Sequence, residues 1–532
     1  MTDKELIKKG FFPRELPPPF NTEELANHLD TINVAWNTIY SGLNGNDKKI
    51  YNESNWANIS IPKVGLSRRK ISIPNPLNQS KLSKTIADNW SQIESIINKS
   101  TISSSSPIIN TNRAVKTKES FGQFKSKRLS ESYDKLFEAK TDISRFYGTI
   151  YTHSIPWLIH TKPVAKANRQ NYSMFGNALD RDLRGSNSGQ TVGIPIGPDT
   201  SLVVAEIITS LIDEKIQSKL SFTKAFRFID DYYIYCDNYS DAEKSFKYIQ
   251  SLLTEFQLDI NEDKTRITES PFSFDSRWSI ELGSFTFRKA KNTQKTDLER
   301  FASLSHIHAK ENPSDSVLLY TVQVLKNIPL HYENWNLYES ILLRILITEP
   351  RTLPDVLSIL SSHSVRVHKL KLRGILEKMI EIHIAKGHHF EVSWALWAFV
   401  EFRLKLKKKL AESVLNSNDW MSKLIILDIK QQNLVVNSLD TSILETDLTQ
   451  DSLSNGGWLF TYQSIISGWL SPTTNVINQN KYFKLLKDNT VSFYDNTRRI
   501  PQIRIKRPSP TEPNEYSASS IIGGGGGGSS SY

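Results

Sequence analysis

The chain has one cysteine, Cys236, in 532 residues. That excludes a disulfide framework and any cysteine-ligated zinc or iron–sulfur centre, and it fits a reducing cytosol. No uninterrupted apolar run approaches the ~18 residues a membrane-spanning helix needs. The opening Met1-Thr2-Asp3-Lys4-Glu5-Leu6 is polar, so no secretory signal is expected. These absences predict a soluble, cytoplasmic protein with no membrane partner. Apolar material is not scarce: 38% hydrophobic and 10% aromatic residues are enough for a core and exclude global disorder. Positive charge is in excess, with 66 Lys and Arg against 56 Asp and Glu, a formal charge of +10 that points to polyanion partners. The length exceeds one compact core and predicts several domains.

The chain divides by pattern into five stretches. Residues 1–54 form an N-terminal arm, extended over Phe11 to Pro19, and a helix from about 22 to 43 with Asn21 as cap and Leu25, Leu29, Ile32, Val34 and Trp36 as its apolar set. Residues 55–290 alternate short apolar runs with amphipathic helices, a mixed α/β body, within which Lys99 to Pro107 is a loop by composition. Residues 291–430 carry apolar residues at helical spacing in successive pieces, repeat-like without an identical repeat. Residues 431–522 are weaker in pattern, and 523–532 are a flexible Gly/Ser-rich tail ending in Tyr532.

Three local patterns carry chemistry. In Arg227-Phe228-Ile229-Asp230-Asp231-Tyr232-Tyr233-Ile234-Tyr235, two adjacent carboxylates sit between aromatic and β-branched runs, which predicts a β-hairpin with an acidic tip. Adjacent like charges cost stability and need a cation or a role. In Thr141-Asp142-Ile143-Ser144-Arg145-Phe146-Tyr147, Asp142 either emerges from a strand end or caps a helix. In Gln190 to Ser201, two glycines and two prolines shape a loop ahead of an apolar helix that Asp199, Thr200 or Ser201 can cap. Asp142, the Gly/Pro loop and Asp230-Asp231 follow one another in the order used by palm-domain polymerases. Three carboxylates in that order suit two Mg²⁺ ions (or Mn²⁺), hard cations that take oxygen ligands.

The sequence resembles the reverse transcriptase family, most closely the bacterial abortive-infection and defence-associated reverse transcriptases. The resemblance rests on TDISRFYGTIYTHSIPWLIH (141–160), QTVGIPIGPDTSLVVAEI (190–207), RFIDDYYIY (227–235) and the lysine motif Asn261 to Arg266, and it covers roughly residues 55–290. It implies an α+β right-hand polymerase: fingers and palm, then a mostly α-helical thumb and C-terminal helical domain. It implies an RNA-directed DNA polymerase-type nucleotidyltransferase in antiphage defence, acting on deoxynucleoside triphosphates. Asp142, Asp230 and Asp231 are then the catalytic metal ligands. Lys63 and Arg69 grip the triphosphate, and Gly197 belongs to the nucleotide-binding loop. Tyr147 is the steric gate against a ribose 2′-hydroxyl, with Phe146 beside it as the other aromatic able to fill that place. Lys264 protonates or screens the leaving pyrophosphate. Where the family has Pro-Gln-Gly, this chain has Pro195-Ile196-Gly197, and an apolar side chain cannot make the glutamine's hydrogen bond, which points away from ordinary template reading.

Expected partners are a non-coding RNA or product DNA and a second reverse-transcriptase subunit, or copies of the same chain in a homo- or hetero-oligomer. Two other classes stay open: a non-templated or RNA-synthesising nucleotidyltransferase on the same fold, and a non-catalytic RNA-binding scaffold. Tyr532, on a tether of ~9 residues with a reach of about 15 Å, is a candidate protein primer. Arg403 to Lys409 is expected to be a solvated helix face. His363, His368, His383, His388 and His389 show no ligand spacing with a carboxylate, so no metal is predicted there. Cys236 is expected to fill core.

Overall fold

The computed structural model describes residues 1–65, 67–220, 223–472, 474–506 and 514–523. A fingers hairpin pairs Ala57–Pro62 with Arg68–Ile73 in antiparallel register, Ile61 opposite Arg69 and Pro62 opposite Arg68. Alternation along its first strand buries Ala57, Ile59 and Ile61, the period-2 pattern of a strand with one apolar face. The palm is a four-stranded antiparallel sheet in the order Lys224–Phe228, Asp231–Cys236, Phe137–Asp142, Arg266–Glu269. On one face Tyr232, Ile234 and the fully buried Cys236 join a core with the helices Asp199–Lys219 and Tyr239–Glu255. On the other, Phe226, Phe228, Tyr233 and Tyr235 pack against Phe124 of the helix Phe121–Glu131. This is a reverse-transcriptase-like α+β fold followed by a helical half.

That half runs from Lys291–Glu311 through His389–Glu401 and Trp420–Gln431 to Lys481–Asp488. Its core extends back to the start of the chain. Ile7, Phe11, Phe12, Leu16 and Phe20 of the N-terminal segment and Ile59, Ile61, Ile71 and Ile73 of the hairpin share one cluster with Trp397, Trp458 and Phe493. Polar links follow the same seam: Trp394 Nε1 donates to Glu15 O at 2.8 Å, and Asn75 Nδ2 to Leu453 O at 2.9 Å. The strand Glu515–Ser517 returns to pair with Thr286–Arg288. Among the described residues no helix is long and apolar enough to cross a membrane.

Four local expectations change. The helix expected over 22–43 is broken at His28 into Glu23–Asn27 and Leu29–Ser41, and Val34 faces solvent while Leu25, Leu29, Ile32 and Trp36 are buried. The serine loop is irregular but not solvated: Ser103, Ser104 and Ser105 are buried. The basic run is not one helix face. Chain direction changes at Arg403 (φ +51°), Leu404 and Leu406 are buried, and the next helix begins only at Lys408. Asp199, Thr200 and Ser201 lie in the first turn of their helix, and none caps it.

Candidate active site

The hairpin register places Phe228 opposite Asp231, so Ile229 and Asp230 form the turn. Ile229 has φ +56°, a left-handed conformation that is costly for a β-branched residue and persists only where its surroundings impose it. Both of its peptide groups are held: Arg227 Nη1 donates to Ile229 O at 2.9 Å, and Ile229 N donates to Ser105 Oγ at 2.8 Å. Arg227 is itself fully buried, with Nη2 donating to Glu206 Oε1 at 2.7 Å and Nε to Asp213 Oδ2 at 2.8 Å. Tyr232 OH and Ser100 Oγ donate to Asp213 at 3.0 and 2.6 Å, and Ser103 Oγ to Glu206 at 2.5 Å. Such a network is affordable only when its members are paired, and here the pairing fixes the peptide that aims Asp230.

Asp142 ends its strand directly opposite Asp231, and Ile143 N donates to Asp230 O at 3.2 Å, so the three carboxylates occupy neighbouring strand ends. Burial, then the charges of Asp231 and Asp142, push Asp230 up to about 7. Burial also raises Asp231, against the pull of Lys140 and Lys264. Lys264 Nζ bonds Asp142 Oδ2; burial alone would lower this lysine, and the contact with Asp142 overrides it, so its pKa is raised. Among the described residues the three aspartates do not bring one oxygen each to within 4.8 Å of one another. Mutual repulsion and the lysine account for that spread. A cluster of carboxylates with unneutralised charge and oxygen-only donors fits hard divalent cations.

Tyr147 is partly buried and its hydroxyl pKa is raised by burial first, then by Asp230 and Glu206, with Arg69 opposing. The structure therefore brings Tyr147, Arg69 and Asp230 into one neighbourhood, whereas Phe146 is buried in the palm core. Lys63 is exposed at the hairpin end. Gly197 has φ +130°, and a Cβ there would lie 2.5 Å from Pro13 Cγ, so glycine lets the N-terminal arm press on this loop. Ile196 packs against the larger core, and its carbonyl accepts from Ser72 N at 2.8 Å. Asp199 is held by Arg113 and by Val115 N, and Arg113 Nη1 also donates to Phe12 O at 2.8 Å. Tyr532 lies outside the described residues.

Sequence reasoning missed Arg227, Glu206, Asp213 and the serine loop. A signal was present: Asp199, Glu206 and Asp213 recur every seven residues along their helix, which puts three acids on one stripe, all of them buried. It also missed Arg128, whose guanidinium lies 3.8 Å from the Tyr233 ring centroid and draws down the Asp231 carboxyl. Arg128 is 6% exposed and its Nε has no hydrogen-bond partner in the described structure.

Residues 61–281 match the family model for reverse transcriptase (RNA-dependent DNA polymerase). Fold and match agree: this part of the chain is similar to reverse transcriptases and has a reverse-transcriptase-like fold. No curated protein matches the chain. Solved structures similar to it include apo telomerase from Candida tropicalis, at 14% identity over 75% of this chain and 72% of that one, TM-score 0.31. Telomerase from Candida albicans with a TWJ fragment of telomeric RNA is similar at 14% identity over 75% and 68% of the two chains, TM-score 0.27. Superpositions this loose carry no argument about function.

Proposed function

We propose that the chain is a DNA-synthesising polymerase that adds deoxynucleotides by two-metal nucleotidyl transfer, working in bacterial antiphage defence. The observation that carries the chemistry is the placement of Asp142, Asp230 and Asp231 on adjoining strand ends, with Asp230 on a turn held in a strained conformation by a buried network. Two Mg²⁺ (or Mn²⁺) ions held by these aspartates would activate a 3′-hydroxyl and neutralise the triphosphate. Around them the chain's own groups divide the work. Arg69 and Lys63 grip phosphate oxygens, Tyr147 stacks below the sugar and excludes a 2′-hydroxyl, and Lys264 leaves Asp142 to meet the departing pyrophosphate. The defence setting is supported by the resemblance at 141–160, 190–207 and 227–235. There the partners are a non-coding RNA, product DNA, a second polymerase subunit or further copies of the chain, in the cytoplasm.

The test is incorporation of labelled deoxynucleotides with Mg²⁺ on co-purified nucleic acid. Asp230→Ala with Asp231→Ala is expected to abolish incorporation with an unchanged circular dichroism spectrum; full activity in that folded variant would refute the assignment.

One observation favours a second reading, synthesis without a template. Ile196 is packed into core and its carbonyl is taken by Ser72, so this position offers a template base no side-chain hydrogen bond. Single nucleotides offered with and without nucleic acid separate the two. Tyr532 as protein primer is tested by mass spectrometry of the product: an adduct mapping to any other residue would exclude it.

A further inference from the structure

The turn between the helices Lys369–Ile384 and His389–Glu401 gathers three donors that the sequence did not connect. Spacing alone did not single out a carboxylate for the histidines; the structure brings in Glu391, three residues after His388. Gly387, at φ +63°, reverses the chain so that His388 N donates to His383 O at 3.2 Å and the two imidazoles meet. His383 Nδ1 and His388 Nδ1 are 2.8 Å apart, and Glu391 Oε1 lies 4.0 Å from the first and 3.7 Å from the second. The point equidistant from these three atoms lies about 2.1 Å from each, which is the length of a zinc–nitrogen or zinc–oxygen bond.

Electrostatics and outer contacts agree with this geometry. Burial lowers both histidine pKa values, Arg68 and Lys386 lower them further, and Glu391 opposes. Two Nδ1 atoms 2.8 Å apart share a single proton at best, whereas an ion satisfies both at once. The side chains are 11%, 21% and 1% exposed, so the three donors are largely withdrawn from bulk solvent. Arg68 Nη1 and Nη2 donate to the two Glu391 oxygens at 2.7 and 2.8 Å, the kind of outer hydrogen bonding that fixes a metal-binding carboxylate. Imidazole donors select zinc over the magnesium preferred by the oxygen-only catalytic cluster.

We propose that His383, His388 and Glu391 bind one Zn²⁺, with water as the fourth ligand. Through Glu391 the ion braces Arg68, so it ties the fingers hairpin that carries Arg69 to the helical half. His389 adds to the same seam, its Nδ1 accepting from Ser60 N at 3.3 Å.

The test is metal analysis of the full-length protein, purified without chelators or metal-affinity resin and then given zinc and desalted. The expected result is about one zinc per chain and, on titrating metal-free protein with Co²⁺, the intense visible absorption of a four-coordinate nitrogen–oxygen site. Zinc should raise the unfolding temperature of the wild type and not that of His383→Ala or His388→Ala, while His363→Ala keeps its zinc. Wild-type protein that takes up less than about a tenth of an equivalent, or shows no cobalt band, overturns the proposal without reference to any variant. Undiminished zinc in folded His388→Ala overturns it as well.

Discussion

Arg227→Met isolates the network beneath the catalytic turn. Within this network the guanidinium is paired to both carboxylates, and the side chains of Arg227, Glu206 and Asp213 are at most 2% exposed. Methionine fills similar volume but leaves both acids uncompensated. Removing one partner of a buried pair costs about 3–5 kcal/mol, and with two acids stranded the upper end is expected. At about 2 °C per kcal/mol for a large domain, the melting temperature should fall by roughly 6–10 °C. The loss should depend on pH. Asp213 is already raised by burial and held down mainly by Arg227, so without the arginine its folded-state pKa climbs further above the unfolded value. A carboxyl raised in the folded state stabilises at low pH and loses that contribution as pH rises through its folded pKa. The deficit is therefore largest at pH 8 and shrinks toward pH 5. Differential scanning fluorimetry and circular dichroism at both values measure it. Adding Glu206→Gln and Asp213→Asn should restore most of the stability at pH 8. A shift under about 2 °C, or a triple variant no more stable than the single one, would show that the cluster is not held by its arginine.

Two further outcomes follow from the site. Asp230→Asn should abolish incorporation yet raise metal-free stability at pH 8 by on the order of 2–4 kcal/mol, because a carboxyl pushed up to about 7 is ionised there at a cost. The gap should close as pH falls below 7, and a destabilised Asp230→Asn in EDTA would contradict the repulsion described here. Gly197→Ala places a Cβ 2.5 Å from Pro13 Cγ at φ +130°, so it should cost on the order of 1–3 kcal/mol and lower incorporation; a neutral effect in thermal melts and primer extension would show that the arm yields freely.

The elements most legible in the sequence were those with short-range grammar. The acidic hairpin tip, the strand end at Asp142 and the core place of Cys236 follow from alternation and aromatic flanks. What escaped depends on distant partners. Polar composition alone marks Ser103 to Ser105 as a loop, yet Arg227 and Glu206, over a hundred residues away, make the Ser105 and Ser103 hydroxyls buried partners. Arg68 and Arg69 are indistinguishable as neighbours in a basic run. Strand alternation sends one to Glu391 and the other toward Tyr147. The basic run at 403–409 looked helical because it follows Trp394 and Trp397 on a helix, but the chain turns at Arg403 and Leu404 and Leu406 beyond it are drawn inward.

The shared core of the hairpin and the helical half also bears on how the protein is made. The stretch that matches a polymerase family, residues 61–281, leaves the ribosome long before the partners of its own hairpin exist. Ile73 and Tyr494 belong to one cluster yet are separated by more than 400 residues, which at 5–20 residues per second is roughly 20–80 s of synthesis. Throughout that interval the apolar side of the hairpin, with Phe11, Phe12 and Phe20 beside it, lacks part of the cover that Trp458, Phe493 and Tyr494 later supply. The nascent chain therefore carries uncovered apolar surface until its last helices emerge, and the packing of the hairpin strands is completed only when translation is nearly finished.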